Sequence, residues 1–312
     1  MPWKNGYTIS DEVGIKDDEI RWPEGRRMAA HIVLNLSVAS GPAGITRADL
    51  ESAPAAFALN EGLDLLLAAL ERKSFTATVA VPAVIARALG ERLRAIAAAG
   101  HEIAALGVKH EDTSSYSRAN EQEHIRVTTE IVADIVGERP VGWFTLPRQL
   151  DRYGVGTVSP ATIDLLIDAG YAYFGNGLAD DAPHYWVTDF NARRAMLALP
   201  YYYHFDDQYF CMFPTKGTGL ENSDMFVRNL RAELAAQYRR GRFFSMVLHP
   251  QHAGWCNRLG PIEEFLADMA RLPGLWVATG RDVAGHWQRN HPPATHLKLE
   301  PSIWKDYPGS LS

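Results

Sequence analysis

The stretch that most clearly indicates the fold is GHEIAALGVKH, residues 100–110. Its apolar centre predicts a short strand, Glu102–Leu106, which runs into a loop that ends in His110. A similar arrangement occurs in FFSMVLHP, residues 243–250, where a predicted strand is followed by His249. In parallel α/β folds, the carboxyl ends of strands carry binding and catalytic side chains. Both histidines are therefore candidate functional residues.

Predicted strands and helices alternate along the rest of the chain. Besides Glu102–Leu106 and Phe243–Leu248, strands are predicted at His31–Val38, Ser74–Val81, Val141–Leu146, Tyr171–Phe174, Met196–Tyr203 and Trp276–Thr279. Helices are predicted at Leu59–Arg72, Pro82–Ala98, Asn120–Val136, Asp224–Arg239, Pro261–Ala270 and Asp282–Gln288. A further helix, with Ser159 as its N-cap and Pro160 in its first turn, is expected to end before Gly170.

This alternation predicts an α/β fold with a mostly parallel sheet. Roughly seven strand–helix units over one domain length fit a distorted (β/α) barrel best. A doubly wound open sheet is the alternative, but no glycine-rich phosphate loop follows the first predicted strand.

Composition and charge are those of an ordinary globular chain. It has 312 residues, of which 46% are hydrophobic and 22% charged, and a formal net charge of −6. This charge favours neither a nucleic acid nor a membrane as partner. We expect one barrel domain, residues 28–290, and a C-terminal tail, residues 291–312. Residues 1–27 are expected to form an N-terminal arm laid over the domain or over a neighbouring subunit.

The sequence also predicts a cytoplasmic localisation. No apolar run follows the first residues, as a signal peptide would require, and the other apolar segments look too short or too interrupted to span a bilayer. Cys211 and Cys256 form no C-x-x-C pair, which disfavours a zinc cluster or a redox dithiol. A disulfide between them is left open, but a reduced protein is the simpler expectation.

Polar side chains follow several predicted strands. The strand-end rule selects Asn35 and Ser37, residues 106–110, residues 145–151, residues 201–207, and His249, His252 and Trp255. The densest group is Tyr202, His204, Asp206 and Asp207. Its adjacent aspartates are either a solvated loop or, if buried beside a histidine, groups that orient the imidazole or act as a base. Arg148 fits either a bidentate clamp for a carboxylate or a carbonyl, or a surface ion pair with Asp151.

Six short motifs resemble the polysaccharide deacetylase (NodB-homology) superfamily. They are RWPEG at residues 21–25, the strand that ends at Leu34 and Asn35, GHEIA at 100–104, GWFT at 142–145, DDAPHYW at 180–186 and WVATGRD at 276–282. The chain is most similar to the branch that contains the cofactor-independent bacterial allantoinases and related cyclic-amide hydrolases. The resemblance implies a distorted (β/α) barrel that hydrolyses carbon–nitrogen bonds other than peptide bonds. This branch commonly forms tetramers, so we expect a homo-oligomer, either a dimer or a tetramer.

The resemblance also implies a metal site whose ligands are missing here. Metal-dependent members end the first strand with two aspartates, one a base and one a metal ligand, and these positions hold Asn35 and Ser37. The two metal histidines of the family fall on Leu106 and His110. A leucine has no lone pair, an amide is a poor base, and one histidine does not make a catalytic zinc site. We therefore expect no metal and no other cofactor.

The resemblance assigns the general acid to His249. We predict that His249 and His110 transfer protons and that Asn35 orients the carbonyl group or the water, which makes these three the predicted catalytic residues. The predicted substrate-binding residues are Ser37, Arg148, Tyr202, His204, Asp207, His252 and Trp255.

The leading hypothesis is a metal-independent hydrolase of a small cyclic amide, imide or ureide, with histidine acid/base chemistry. One alternative is an isomerase or lyase that uses the same histidines. Another is a non-catalytic sugar- or metabolite-binding relative. A rearranged metal site at His110, His204 and His249, and a nucleophilic role for Ser37, also stay open.

Overall fold

The computed structural model describes residues 8–9, 15–39, 41–147, 155–189, 192–201, 205–208 and 222–297. In this part of the chain, ten strands form one sheet. The strands are β1 (Thr8–Ile9), β2 (Met28–Asn35), β3 (Thr78–Val81), β4 (Glu102–Ala105), β5 (Gly142–Trp143), β6 (Tyr173–Phe174), β7 (His184–Asp189), β8 (Arg194–Ala198), β9 (Phe243–Leu248) and β10 (Leu275–Ala278). The sheet order is β1-β7-β8-β6-β5-β4-β3-β2-β10, and β9 also pairs with β2.

All strand pairs in this sheet are parallel except β1 with β7 and β7 with β8. The sheet curls into a half-barrel that is covered by helices. The predicted α/β fold, a distorted (β/α) barrel of mostly parallel strands, is confirmed.

Strand β2 positions the part of the sheet that carries the site. All 8 of its residues are buried, which is typical of a parallel strand covered on both faces. One edge of β2 pairs with β9, and the other pairs with β10 near its start and with β3 near its end. Leu34 lies opposite Leu248, so Asn35 and His249 come next to each other at the ends of adjacent strands.

Eleven α-helices are found among the described residues. They are α1 (Arg47–Leu50), α2 (Ala53–Phe57), α3 (Leu63–Glu71), α4 (Ala83–Ala98), α5 (Arg118–Val136), α6 (Thr162–Asp168), α7 (Asn222–Arg240), α8 (Pro250–Ala253), α9 (Cys256–Ala270), α10 (Gly280–Asn290) and α11 (Pro293–His296). A π-helical segment, Ala58–Gly62, joins α2 to α3.

The stretch Ala53–Glu71 has the length and apolar composition of a membrane-spanning helix. The expectation that every apolar segment is too short or too interrupted to span a bilayer is wrong for this stretch, because α2 continues through the π-helical segment into α3. Leu63, Leu66 and Leu70 of α3 are buried in the hydrophobic core. Packing in the core therefore accounts for the apolar composition of this helix.

The predicted N-cap of α6, Ser159, lies three residues before the helix, which begins at Thr162 and is preceded by Ala161. The Ser159 hydroxyl still accepts the Ala161 N–H at 3.0 Å, and the Ser159 N–H donates to Thr162 Oγ1 at 2.8 Å, a reciprocal capping arrangement. The same hydroxyl donates its proton to the buried carboxylate of Glu121, which needs polar partners.

The described part of the N-terminal segment packs against the start of β9. Trp22 is buried, and its indole N–H donates to the carbonyl oxygen of Gly241 at 2.9 Å. Arg242 forms an ion pair with Asp17 at 2.8 Å. These contacts lie at the opposite end of β9 from His249. The division into arm, barrel and tail stays a prediction.

Candidate active site

Adjacent strands bring the predicted catalytic residues to the same end of the sheet, where the parallel strands have their carboxyl ends. Strands β9, β2, β3 and β4 are neighbours in that order and run parallel. Asn35 is the last residue of β2, His249 directly follows β9, and His110 lies in the loop after β4. All three side chains are buried. Their common position at the carboxyl ends of parallel strands is the usual place of a catalytic site in such folds.

Asp207 orients the imidazole of His249. One carboxylate oxygen of Asp207 is 2.7 Å from His249 Nδ1, and the other accepts the His249 backbone N–H at 2.8 Å. With both oxygens occupied in this way, the proton is assigned to Nδ1. Nε2 is then the imidazole nitrogen available to a substrate.

Asp206 places a second carboxylate beside the same imidazole. Its Oδ1 lies 3.4 Å from His249 Nδ1 and accepts the Gln208 N–H at 2.9 Å. Its Oδ2 accepts a hydrogen bond from the Tyr201 hydroxyl at 2.5 Å. The backbone of Asp206 forms a parallel bridge with Val247, which attaches this segment to β9.

The pKa values of His249 and Asp206 are both raised. Burial opposes the charged form of His249, but the carboxylates of Asp206 and Asp207 outweigh it and raise the pKa of His249. Burial raises the pKa of Asp206 to about 6; the charge of His249 opposes this shift and the charge of Asp207 adds to it. The result is a buried cluster that favours the protonated imidazole more than water does.

The two other histidines of the site are held neutral. Burial, with a smaller effect from the charge of His249, lowers the pKa of His110 to about 4, although the backbones of Ala39 and Thr145 act in the opposite direction. Burial also lowers the pKa of His252 to about 4. Neither ring nitrogen of His110 makes a hydrogen bond of normal geometry within the described residues. A neutral, buried imidazole of this kind can accept a proton from water or substrate.

Asn35 and Ser37 form a tight turn at the end of β2. Asn35 Oδ1 accepts the Ser37 N–H at 2.9 Å, which leaves the Asn35 side-chain N–H₂ as the end that can donate to another group. The Ser37 hydroxyl is buried and has no hydrogen-bond partner within the described residues. Gln251 Nε2 donates to the Ser37 carbonyl oxygen at 2.5 Å, which ties this turn to α8.

Trp255 forms an exposed aromatic surface just after α8. It is 46% exposed and stacks on Phe57 of α2 with ring centroids 4.0 Å apart and an interplanar angle of 14°. Its indole N–H donates to the Gln251 carbonyl oxygen at 2.9 Å. The ring is thus fixed in orientation while part of its surface stays accessible.

Arg148, Tyr202 and His204 lie outside the described residues, as does Asp151. Their predicted roles therefore stay predictions.

A polysaccharide deacetylase family model matches residues 53–174 of this chain. Two solved structures, both of proteins that carry the name polysaccharide deacetylase, match most of the length of this chain. The protein from Mycobacterium smegmatis is 25% identical, with a TM-score of 0.75 over 86% of this chain and 93% of that chain. The protein from Pseudomonas aeruginosa PAO1 is 27% identical, with a TM-score of 0.74 over 87% of this chain and 94% of that chain. Residues 53–174 thus match a polysaccharide deacetylase (NodB-like) domain, and the fold is similar to that of these two proteins.

The resemblance drawn from the six motifs is thereby confirmed. The NodB-type fold is shared with the crystal structure of PuuE allantoinase, which is 24% identical, with a TM-score of 0.73 over 87% of this chain and 93% of that chain. The peptidoglycan deacetylase of Helicobacter pylori is 25% identical over 131 residues, which is 42% of this chain and 42% of that protein. The chain thus spans about two fifths of the length of the curated relatives that it matches.

At the positions that the motif resemblance assigns to the family's metal site, the residues of this chain do not fit a metal. Leu106 occupies one ligand position and is buried as an aliphatic side chain. Asn35 and Ser37 replace the aspartate pair, and the Asn35 oxygen is already used by the Ser37 N–H. Of the expected ligands only His110 is present, which is too few for a catalytic zinc site.

The cluster of Asp206, Asp207 and His249 also has a spacing that could hold a cation, since its ligand atoms lie within 4.8 Å of one another. All four carboxylate oxygens already accept hydrogen bonds from Tyr201, Gln208 and His249. Hydrogen bonding therefore accounts for this cluster without a metal.

The predicted site residues do not include three residues that contact them: Asp206 beside His249, Gln251 beside Ser37 and Phe57 beside Trp255. Asp206 was noticed only as half of an acidic pair, and burial of that pair beside His249 was the condition that gave it a role. Gln251 carried a usable signal, because it lies between His249 and the predicted substrate-binding residue His252. Phe57 precedes the predicted helix, and nothing in the local sequence connects it with Trp255.

Proposed function

We propose that this chain is a metal-independent hydrolase of a non-peptide carbon–nitrogen bond in a small cyclic amide, imide or ureide. The observation that carries the proposal is the pairing of His249, which Asp207 orients and whose pKa is raised, with His110, whose pKa is lowered, at strand ends that keep only one of the family's metal ligands. Two groups whose environments separate their pKa values in this way are suited to act as acid and base.

In the proposed reaction, His110 accepts a proton from water as the water oxygen attacks the carbonyl carbon. The Asn35 N–H₂ donates to the carbonyl oxygen, where negative charge develops. The carbon–nitrogen bond then breaks, and the leaving nitrogen takes a proton from His249 Nε2. The product is the ring-opened acid, which has gained one water molecule.

Substrate binding is proposed for the residues around this centre. Ser37 offers a buried hydroxyl that has no hydrogen-bond partner in the described part of the chain, and Trp255 offers a fixed aromatic surface. His252 lies on α8, with its ring centroid 5.7 Å from that of His249. Asp207 acts on the substrate indirectly, by orienting His249. Binding roles for Arg148, Tyr202 and His204 also belong to the proposal.

The test is a substrate screen with a matched pair of variants. Hydantoin, dihydrouracil, succinimide and allantoin represent cyclic substrates, and chitotriose represents an acetylated sugar; products are followed by mass spectrometry. For the cyclic compound that is turned over, His249→Ala is expected to lower kcat by about 10²-fold or more, because a general acid is lost. His286→Ala is the control, since His286 packs on Trp276 at the start of β10. Unchanged turnover in His249→Ala would contradict the mechanism.

The same screen distinguishes the alternatives. A product of unchanged mass would indicate an isomerase, and release of acetate from chitotriose would indicate a sugar deacetylase. Thermal stabilisation by a compound without product after long incubation would indicate a binding protein. Stoichiometric zinc in protein purified without added metal, with activity lost on chelation and regained on zinc addition, would overturn the metal-independent proposal.

We further propose a small-molecule substrate without nucleic-acid or membrane partners, a cytoplasmic localisation and a homo-oligomeric assembly. These proposals rest on the net charge of −6, on the sequence pattern and on the family resemblance.

A further inference from the structure

We propose that Asp206 is a positioning residue whose negative charge keeps His249 in its protonated, acid-competent form. This inference rests on the proposed function, because it assigns His249 the role of proton donor. It goes beyond that function by giving the two adjacent aspartates different tasks.

The contacts of the two carboxylates separate these tasks. Asp207 receives both the ring Nδ1–H and the backbone N–H of His249, at 2.7 and 2.8 Å, so it determines where the imidazole points. Asp206 approaches the same ring nitrogen only at 3.4 Å. Its shorter hydrogen bonds come from Tyr201 and Gln208. Asp206 therefore adds negative charge beside the imidazole with little direct control of its orientation.

The donors to Asp206 favour its ionised form. The Tyr201 hydroxyl donates to one oxygen and the Gln208 N–H to the other, and both bonds stabilise a carboxylate more than a carboxylic acid. Asp206 is 1% exposed, so solvent screens its charge little at the short distance to His249. A second buried carboxylate without any donors would instead become neutral.

Among the described residues, the other ionisable groups that act on Asp206, Asp207 and His249 add no further negative charge. His110, in the loop after β4, and His252, on α8, are held neutral by burial, which lowers the pKa of each to about 4. Arg258 of α9 acts on His252. The negative charges that affect His249 are therefore those of Asp206 and Asp207.

The charge of Asp206 can be removed without removing most of its contacts, which separates a role of the charge from a purely structural role. The bridge between Asp206 and Val247 is formed by the backbone, and an asparagine keeps an oxygen for the Gln208 N–H. The Tyr201 hydroxyl can accept from the new amide. Asp206→Asn is thus expected to fold and to keep the Asp207–His249 hydrogen bonds while it removes one charge.

The experiment is a pH titration of His249 by nitrogen-15 NMR in the full-length protein, with the signal assigned by its absence in His249→Gln. In Asp206→Asn, the midpoint of His249 is expected to fall by about one pH unit or more, the usual effect of removing one nearby opposite charge. That shift is about a tenfold loss of the protonated fraction at pH values well above the midpoint. Glu102→Gln is the control, because Glu102 is a buried carboxylate hydrogen-bonded to Thr78. Its His249 midpoint is expected to stay unchanged.

An unchanged His249 midpoint in folded Asp206→Asn would overturn the inference, as would an equal shift in Glu102→Gln. On a substrate from the screen, Asp206→Asn should lose kcat progressively as the pH rises while KM changes little. The failures of the two proposals are distinguishable. If His249→Ala retains full turnover, the proposed function fails. If His249→Ala is inactive but Asp206→Asn leaves the midpoint in place, only the role of Asp206 fails.

Discussion

At the scale of single residues, the two ends of the Asn35 side chain have different uses. Its oxygen accepts the Ser37 N–H, so the side-chain N–H₂ is oriented for a second partner. Asn35→Ala is expected to lower kcat by about 10²-fold or more with a smaller change in KM, because a donor aimed at a developing oxyanion acts mainly in the transition state. Steady-state kinetics on the compound from the screen provides the measurement.

Ser37→Ala is the matched control for Asn35→Ala. The Ser37 N–H that holds Asn35 belongs to the backbone and is kept, while the hydroxyl that is lost has no partner among the described residues. We expect a small effect on kcat. A loss as large as that in Asn35→Ala would indicate instead that Ser37 takes part in the chemistry, as the nucleophile hypothesis requires.

Some candidate residues can be selected from local position alone. Asn35 ends β2, His249 directly follows β9 and His110 lies in the loop after β4, so the strand-end rule selects all three from predicted strands. Asp206 is different, because its role depends on a contact with His249, more than 40 residues along the chain. A pair of adjacent aspartates is ordinarily solvated, so burial had to be seen before a function could be assigned.

At the scale of elements, a close approach of two segments positions α8, which carries Gln251 and His252. A Cβ atom added to Gly62 would lie 2.5 Å from the Pro250 carbonyl oxygen. Gly62→Ala is therefore expected to destabilise the protein by about 1–3 kcal/mol, as over-packing does, and to reduce activity by displacing α8. Urea unfolding followed by circular dichroism measures the stability change.

Gly90→Ala in α4 is the control for this prediction. A Cβ at Gly90 meets only Ile135, at 4.0 Å, and glycine costs about 0.5–1 kcal/mol relative to alanine inside a helix. This variant should be at least as stable as the parent. If both variants are stabilised, the contact between Gly62 and Pro250 does not constrain α8.

Elements with strong periodicity were predictable, whereas those set by distant partners were not. The predicted helix Leu59–Arg72 contains α3, whose Leu63, Leu66 and Leu70 are buried, and the predicted strand Phe243–Leu248 has the observed bounds of β9. Strand β7 was missed as a strand although its residues contributed to the family motif. It is held by antiparallel pairing with β1 and β8, and such pairing is not encoded in the local sequence.

At the scale of the whole molecule, burial favours the neutral form of several histidines. Burial lowers the pKa of His31 to about 3 and those of His110 and His252 to about 4. The unfolded chain titrates these three histidines near 6.5, so below that pH it binds more protons than the folded protein does. Asp206 opposes this trend by one proton between its ordinary pKa of 3.8 and its raised value of about 6. The net expectation is a loss of stability as the pH falls from 6.5 towards 4.

His31 provides the sharpest test of this dependence, because it lies in the middle of β2, away from the strand ends that carry the site. His31→Gln keeps a polar contact with the Thr78 hydroxyl, which lies 2.8 Å from His31 Nε2, but removes one titrating group. The slope of unfolding free energy against pH between 6 and 4.5, from urea unfolding, should fall by up to about 1.4 kcal/mol per pH unit. An equal slope in His31→Gln and the parent would mean that His31 takes up its proton without unfolding, which is incompatible with a neutral imidazole held by the core.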